Sequence, residues 1–296
     1  NGRRILLLSI LCLFGFCLVA QVRPQRNAAQ PAKSKVYLLH SDVLKKSKDN
    51  SDAQILVGDV SFRHDSIYMY CDSACFYEKT NSLEAFHNVK FVQGDTLFLY
   101  GDYLFYDGNT QLAQVRNNVR MENRTTTLTT DSLNYDRIAN LGYFFDGGTL
   151  MDEQNVLTSD WGEYSPATKM SVFNYEVKLV NPQFTLTSDT LRYNTDTKIA
   201  SIVGPSDIDS DENHIYSELG FYYTQQGQAE LLERSVLTNN GKRMTGDSLF
   251  YDRNRGIGEA FQNVEFVDTI SKNMLTGDYC FYNQLTGYAF ATDKAV

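Results

Sequence analysis

An acidic residue recurs along this chain at nearly constant spacing, and this periodicity restricts the possible folds more than any other feature of the sequence. The acid belongs to a seven-residue motif, which is best seen in residues 246–252, Gly-Asp-Ser-Leu-Phe-Tyr-Asp, and in residues 101–107, Gly-Asp-Tyr-Leu-Phe-Tyr-Asp. The leading acids are Asp42, Asp72, Asp102, Asp131, Asp160, Asp189, Glu218, Asp247 and Asp278. Successive acids are 29 to 31 residues apart. The sequence therefore predicts one array of nine repeat units rather than two average domains.

Each unit contains two short segments in which apolar and polar residues alternate. In the first, a small or apolar residue lies two positions after the acid, and an aromatic residue, usually Tyr, lies four positions after it. These three positions share one face of a strand, because side chains alternate along a β-strand. The second segment begins with an Asn-Val-x-Phe-like motif, as in residues 88–91 and 263–266. With turn-forming residues between the segments, each unit is predicted to be strand, turn, strand, turn.

Stacked units of this kind would build two facing sheets. Like strands would lie side by side about 4.8 Å apart, with their apolar faces turned inwards. A propeller blade is excluded, because it needs about four strands in about forty residues. The sequence predicts an all-β fold, an elongated repeat-built β-jelly roll over residues 36–296. We expect its interior to be lined by Leu104, Leu133, Leu191, Leu249, Val89, Phe91, Val119, Val264 and Phe266.

The repeated acids and tyrosines are predicted to be architectural, because a residue that recurs in every unit does not define a single active site. We expect the acids at a bend near the rim of the roll, bonded to backbone N–H groups. Like charges in a buried row would be unfavourable. We expect the tyrosines to pack rather than to contact a ligand, although a tyrosine can cover apolar surface while its hydroxyl reaches water.

The first twenty residues differ from the rest of the chain. Arg3 and Arg4 precede a nearly unbroken apolar run that ends at Ala20, which is typical of a secretory signal peptide over residues 1–20. An uncleaved anchor is the main alternative, although the run is short for a bilayer span. Residues 21–35 are predicted to be a linker. Because the chain lacks an initial Met and stops inside the ninth unit, we expect a fragment of a longer protein.

The motifs resemble those of the OstA/LptA family of periplasmic lipopolysaccharide-transport proteins, in its OstA-like N-terminal form. Acid-x-Leu-x-Tyr-Asp copies such as residues 131–136, each followed by an Asn-Val-x-Phe-like copy, carry the resemblance over residues 36–292. It implies a V-shaped, open β-jelly roll that shields the acyl chains of lipopolysaccharide (lipid A) in the periplasm. It also implies end-to-end strand pairing, either with other lipopolysaccharide-transport proteins or with a second copy of the chain. The implied role is in outer-membrane assembly, and the protein could also be associated with the outer membrane.

No catalytic or cofactor motif accompanies the repeat. The sequence has no nucleophile elbow, Walker loop, dinucleotide fingerprint or histidine pair at metal-binding spacing. We therefore expect neither an enzyme nor a cofactor. The net charge of −9 argues against nucleic acid, which requires a basic face.

A weak candidate for a calcium loop is the only metal-binding pattern. Its ligands would be Asp207, Asp209, Asp211 and Glu218. Glu212 occupies the position where the sharp turn of such a loop needs Gly. A solvated acidic hairpin is therefore the simpler interpretation.

Three other functions or architectures stay open on sequence alone. A structural or adhesive β-solenoid would have a filled interior and no lipid lumen. The chain could instead be the periplasmic part of a larger outer-membrane β-barrel assembly protein. A transmembrane barrel ranks last, because Asn134, Glu163 and Arg192 lie in the column that would face lipid.

Overall fold

The described part of the chain consists of antiparallel strands joined by short turns. The structure, a computed structural model, describes residues 34–47, 52–210 and 213–296. The predicted signal peptide and the linker up to residue 33 lie outside the described residues. Residues 34–296 form one unit, with 21 strands and no helix among the residues described. The same ranges accordingly contain no helix that is long and apolar enough to cross a bilayer.

Strands of twelve and eleven residues alternate through most of the unit. The strands are β1 (Tyr37–His40), β2 (Val43–Lys46), β3 (Ala53–His64), β4 (Ile67–Tyr77), β5 (Ser82–Gln93), β6 (Leu97–Asp107), β7 (Leu112–Asn123), β8 (Thr126–Asp136), β9 (Leu141–Phe144), β10 (Gly148–Asp152), β11 (Asn155–Ser159), β12 (Trp161–Tyr164), β13 (Met170–Asn181), β14 (Phe184–Asn194), β15 (Ile199–Ser210), β16 (Asn213–Tyr223), β17 (Gln228–Asn239), β18 (Lys242–Asp252), β19 (Ile257–Asp268), β20 (Asn273–Asn283) and β21 (Tyr288–Thr292).

Turn lengths explain the repeat interval. A tight turn joins each twelve-residue strand to the next eleven-residue strand, and a wide turn of mostly four residues leads to the following unit. The tight turn has three residues at 94–96 and four at 269–272, where the interval between acids lengthens to 30 and 31. Nine short strands carry the acids, two of them divided as β1 with β2 and β11 with β12. The predicted number of units is confirmed.

Each undivided long strand bends near its middle. The ladder between β5 and β6 shifts register between Phe86 and Val89. The skipped residues His87 and Asn88 have left-handed φ values of 62° and 48°. Asn tolerates this conformation better than most residues, because its short side chain bonds locally. The Asn that opens the Asn-Val-x-Phe motif therefore marks the bend.

Bending divides the strands into two half-sheets whose apolar faces pack together. Half-sheet A contains the strand parts beside the wide turns, such as residues 82–86, and half-sheet B contains those beside the tight turns, such as residues 89–93. Phe91 of half-sheet B contacts Tyr106 and Tyr135 of half-sheet A, with ring centroids 6.1 and 6.0 Å apart. The predicted all-β roll of two facing sheets is confirmed.

The middle unit departs from this pattern. Strands β9 and β10 together correspond to one long strand, and β11 and β12 to one short strand. Strand β8 pairs with both β9 and β10, and β13 pairs with both β11 and β12. The first break falls at the bend, at Asp146 and Gly147, the latter with a φ of 81°. Pairing therefore continues in both half-sheets across the break.

Candidate functional site

All nine residues expected to line the interior lie in the core. They are 0% to 5% exposed and belong to one hydrophobic cluster. The leucines come from half-sheet A, and the Val and Phe residues come from half-sheet B. The residues are Leu104, Leu133, Leu191, Leu249, Val89, Phe91, Val119, Val264 and Phe266. Side chains fill the space at these positions, and contact with lipid stays a prediction.

A column of tyrosines lies across the same cluster, four positions after the repeated acids. Its members, at most 3% exposed, are Tyr106, Tyr135, Tyr164, Tyr193, Tyr222, Tyr251 and Tyr282. The rings reach half-sheet B, where Tyr222 packs on Phe184 and Tyr282 on Phe266, with centroids 4.5 and 5.2 Å apart. Burial raises the pKa of Tyr222 to about 12, because the phenolate would lose its hydration. These hydroxyls are neutral hydrogen-bonding groups.

Tyrosine hydroxyls join the two half-sheets along the edge opposite the bend. The Tyr106 hydroxyl lies 2.6 Å from His64 Nδ1, and the Tyr193 hydroxyl donates to Asp152 Oδ2 at 2.8 Å. We call this edge the seam. Its five pairs are Tyr106–His64, Tyr135–Gln93, Tyr164–Asn123, Tyr193–Asp152 and Tyr282–Asn239. The Tyr135 contact with Gln93 is long at 3.4 Å, and its hydroxyl donates more closely to Asn140 Oδ1 at 2.6 Å. Each seam partner ends a long strand, so the tyrosine hydroxyls bond to protein groups.

A buried ion pair lies within the seam. Lys198 Nζ is 2.7 Å from both carboxylate oxygens of Asp152, and the two residues are 5% and 0% exposed. Tyr193 donates to the same carboxylate and accepts from Asn155 Nδ2 at 2.8 Å. Burial, and then the nearby carboxylate, raise the pKa of Tyr193 well above its ordinary value. Lys198 Nζ also lies 3.4 Å from Oε1 of the half-exposed Glu153. Removal of Asp152 would leave the buried ammonium with only this weaker partner, which is costly.

His64 is the first strand-end residue of the seam and is fully buried. Its Nε2 lies 2.5 Å from Ser34 Oγ, while its Nδ1 faces Tyr106. Burial lowers the pKa of His64, and the nearby Asp65 carboxylate offsets only part of that effect. The imidazole is therefore neutral at pH 7 and is packed rather than solvated.

The bend has a different chemistry. Asn88 Nδ2 donates to Asp72 Oδ2 at 2.8 Å, and Asn118 Nδ2 donates to Asp102 Oδ2 at 2.6 Å. Asn263 repeats the contact with Asp247. These bonds are exposed and link neighbouring strands. The repeated acids thus lie at a bend, as expected, but in these units the partner is the left-handed Asn side chain rather than a backbone N–H.

Comparison with known proteins identifies the family of this chain. The family model for OstA-like proteins matches residues 33–189 and 193–295. The chain belongs to the OstA-like family. The curated proteins give no match. Among solved structures, the OstA-like chain is similar to Pseudomonas aeruginosa LptH, described as the LptA-homologous periplasmic component of the conserved lipopolysaccharide transport device. The identity is 18% and the TM-score 0.37, covering 39% of this chain and 96% of that chain.

The calcium candidates of the OstA-like chain have other partners. Asp209 Oδ1 lies 2.8 Å from His214 Nδ1, and Asp207 Oδ1 lies 3.3 Å from His214 Nε2. Glu218 accepts a hydrogen bond from the Tyr216 hydroxyl at 2.9 Å. Asp211 lies outside the described residues. Over the described ranges, no three His, Cys, Asp or Glu residues gather in a way that could hold a metal.

The strand-end residues that pair with the tyrosines along the seam of this OstA-like chain were not predicted from the sequence. The strand-end residues recur at the same interval as the acids, but they differ in residue type: His64, Gln93, Asn123, Asp152 and Asn239. An alignment of the units by period, rather than by residue identity, would have shown a column that is always polar. Its pairing with the tyrosines would still have required the fold.

Proposed function

We propose that this OstA-like protein is a periplasmic lipopolysaccharide-transport protein that holds lipid A acyl chains between half-sheets A and B. The observation that carries the proposal is the single apolar cluster shared by both half-sheets. Transfer of an acyl chain from water into such surroundings is favourable by about 0.8 kcal/mol per CH₂. Membership of the OstA-like family supports the same role. The protein would act as a scaffold rather than as an enzyme.

Loading of lipid requires the half-sheets to separate, because side chains already fill the interior. At most bends, continuous strands connect the half-sheets. At the seam, side-chain bonds such as Tyr164–Asn123 and Tyr282–Asn239 join them. Acyl chains would therefore enter through the seam, with the tyrosine rings moving aside.

Photo-crosslinking tests the proposal with a matched pair of positions. A photoreactive benzoyl-phenylalanine would replace either Phe266, which points inwards from β19, or Phe250, which points outwards from the neighbouring β18. After incubation of the full chain with lipopolysaccharide and irradiation, we expect a lipid adduct from position 266 only. Equal adducts from both positions, or adducts from position 250 alone, would contradict an interior lipid site.

A structural solenoid without a lipid lumen is the second candidate, and the filled core favours it. Leu104, Leu133 and Leu191 are each 0% exposed. Native mass spectrometry distinguishes the two functions. The transport protein should carry co-purified lipid after gentle extraction, whereas a solenoid should give only the mass of the polypeptide.

We also propose end-to-end strand pairing, with a second copy or with other lipopolysaccharide-transport proteins. Among the described strands, β21 has register pairs only with β20, and an unpaired edge is a template for strand addition. Sedimentation velocity of the full chain should show concentration-dependent association. The double substitution Tyr288→Lys and Phe290→Lys in β21 should suppress this association, because charged side chains discourage edge pairing.

A further inference from the structure

The outer face of half-sheet B carries a feature that the interior does not use. Rings and cations alternate there across neighbouring strands. Tyr70 lies opposite Lys90, Lys90 opposite Tyr100, and Tyr100 opposite Arg120. We call this surface the cation–aromatic face. Its members, on β3 to β7, are Arg63, Tyr68, Tyr70, Lys90, Phe98, Tyr100 and Arg120.

The cations form cation–π contacts with the rings. The Arg120 guanidinium carbon lies 4.5 Å from the centroid of the Tyr100 ring. Lys90 Nζ lies 5.6 Å from the centroid of Phe98 and 5.9 Å from that of Tyr100. Such cation–π contacts are worth about 0.5–1 kcal/mol at exposed sites. At 40%, the exposed fraction of Tyr70 is substantial, so part of this ordered aromatic surface is open to a ligand.

This face is cationic although the chain carries a net charge of −9. Within the described ranges, Arg63 and Lys90 have no carboxylate at ion-pair distance, whereas Arg120 pairs with Glu122 at 3.0 Å. Farther along the same outer face, β15 presents Asp207 and Asp209 instead. Outward cations elsewhere on this face lack the rings, because Lys178 of β13 lies between Thr158 and Thr187. The combination of positive charge with aromatic rings therefore belongs to β3–β7. It favours an anionic ligand there.

We propose that the cation–aromatic face binds a phosphate-bearing oligosaccharide. The flat C–H faces of sugar rings would stack on the exposed rings of Tyr68 and Tyr70, and the Tyr hydroxyls would bond to sugar hydroxyls. The phosphate groups would take charge-assisted hydrogen bonds from the lysine and arginine side chains. The rings lie beside the cations on a flat strand surface, which suits a stacked sugar better than insertion into a bilayer. This site is on the outside of the roll, goes beyond the proposed lipid function and does not require the seam to open.

Calorimetric titration of the full chain tests the site with a lipid-free probe. A phosphorylated mannose pentasaccharide is compared with the same sugar without phosphate, with inorganic phosphate, and with vesicles of phosphatidylglycerol. We expect the phosphorylated sugar to bind at least about tenfold more tightly than the unphosphorylated sugar, the difference that one charge-assisted bond pair supplies. Lys90→Gln and Tyr70→Thr should each weaken binding by about tenfold.

Two further variants separate binding from folding. Arg243→Gln removes an outward cation at a distant position of half-sheet B, where Arg243 pairs with Glu265 at 3.4 Å, and should leave the affinity unchanged. Glu122→Gln releases Arg120 from its ion pair and should tighten binding by about threefold. A gain of this kind cannot arise from a damaged fold.

Several results would overturn the inference. Equal affinity for both sugars would remove the role of the phosphate, and inorganic phosphate that binds as tightly as the phosphorylated sugar would indicate an adventitious ion only. Binding to vesicles without binding to the sugar would indicate a membrane surface instead. An equal loss in Arg243→Gln would show that the effect is not local. None of these outcomes depends on crosslinking at position 266, so the two proposals fail separately.

Discussion

The bend and the seam are the two edges of the same roll, and they are built on opposite principles. At the bend, Asn118 and Asp102 are 16 residues apart, belong to neighbouring strands and are exposed. At the seam, Tyr193 and Asp152 are 41 residues apart, belong to different half-sheets and are buried. The bend repeats the same Asn–Asp chemistry in several units, whereas the seam tyrosines meet four residue types, His, Gln, Asn and Asp, in five pairs.

The difference shows how a repeat protein can vary one edge and keep the other. The bend is dictated by backbone conformation, because positive φ recurs there even where the residues are Tyr175 and Glu176, so Asn and Gly suit it best. The seam requires only that each hydroxyl meets some polar group, because a buried hydroxyl without a partner is costly. Solvent exposure should make bend contacts individually weak and burial should make seam contacts strong. The following predictions test this ranking.

The largest effect is expected at the buried ion pair. Asp152→Ala leaves the Lys198 ammonium buried with only the half-exposed Glu153 carboxylate as a counter-charge, and the free energy of unfolding should fall by about 3 kcal/mol. Urea denaturation followed by circular dichroism measures this loss. The matched control at the bend is Asp102→Ala, which should change stability by about 0.5 kcal/mol or less. If both variants lost the same free energy of unfolding, seam contacts would not be stronger than bend contacts.

Removal of a single hydroxyl is expected to have an intermediate effect. Tyr193→Phe leaves Asp152 and Asn155 each one partner short in a buried site, and should cost about 1–3 kcal/mol. The control is Tyr103→Phe, which removes a hydroxyl that bonds Glu84 at 2.9 Å on the partly buried outer side and should cost less than about 1 kcal/mol. If Tyr103→Phe lowered the free energy of unfolding more than Tyr193→Phe, burial in the seam would not make a hydroxyl more important for stability.

The seam should also make stability depend on pH through His64. Burial lowers the pKa of His64 below the ordinary value of 6.5, so the unfolded chain binds this proton more readily than the folded chain. Stability is therefore highest above pH 6.5 and should decrease as the pH falls from there towards the lowered pKa. Thermal melts across that range should show the decrease. His64→Gln, which introduces the residue found at position 93 of the next unit, should flatten the profile; an unchanged profile would assign the effect to other groups.

The smallest effect is expected at the bend itself. Asn118→Gly removes the side-chain bond to Asp102 but suits the φ of 51° at that position. The free energy of unfolding should stay within about 0.5 kcal/mol of the parent chain. Asn118→Val keeps a side chain of similar size but must adopt the left-handed conformation, and should cost about 1–2 kcal/mol. If the glycine variant were the more damaged of the two, the Asn–Asp bond rather than the backbone would control the bend.

Much of the interior could be predicted from spacing alone. The period of the acids, together with the alternation around them, placed Leu104, Val89 and Phe91 on inward faces, because a strand has only two faces. The position of the bend could be anticipated too, although the reason for the Asn at its centre emerged only from the φ of Asn88. Local geometry of this kind is encoded within a few residues.

The closure of the roll was decided by the tertiary structure. Lys198 and Asp152 are 46 residues apart, and neither lies in a motif that the repeat made visible. Packing of the tyrosine column could be predicted, but its hydrogen bonds across the roll could not, because the spacing describes one sheet without the second sheet packed against it. Sequence alone determined an all-β repeat with an apolar interior, since periodicity is a property of the chain. Only packing of the two half-sheets decided which polar groups meet, because burial removes water as the alternative partner and favours bonds of the seam tyrosine hydroxyls to groups within the protein.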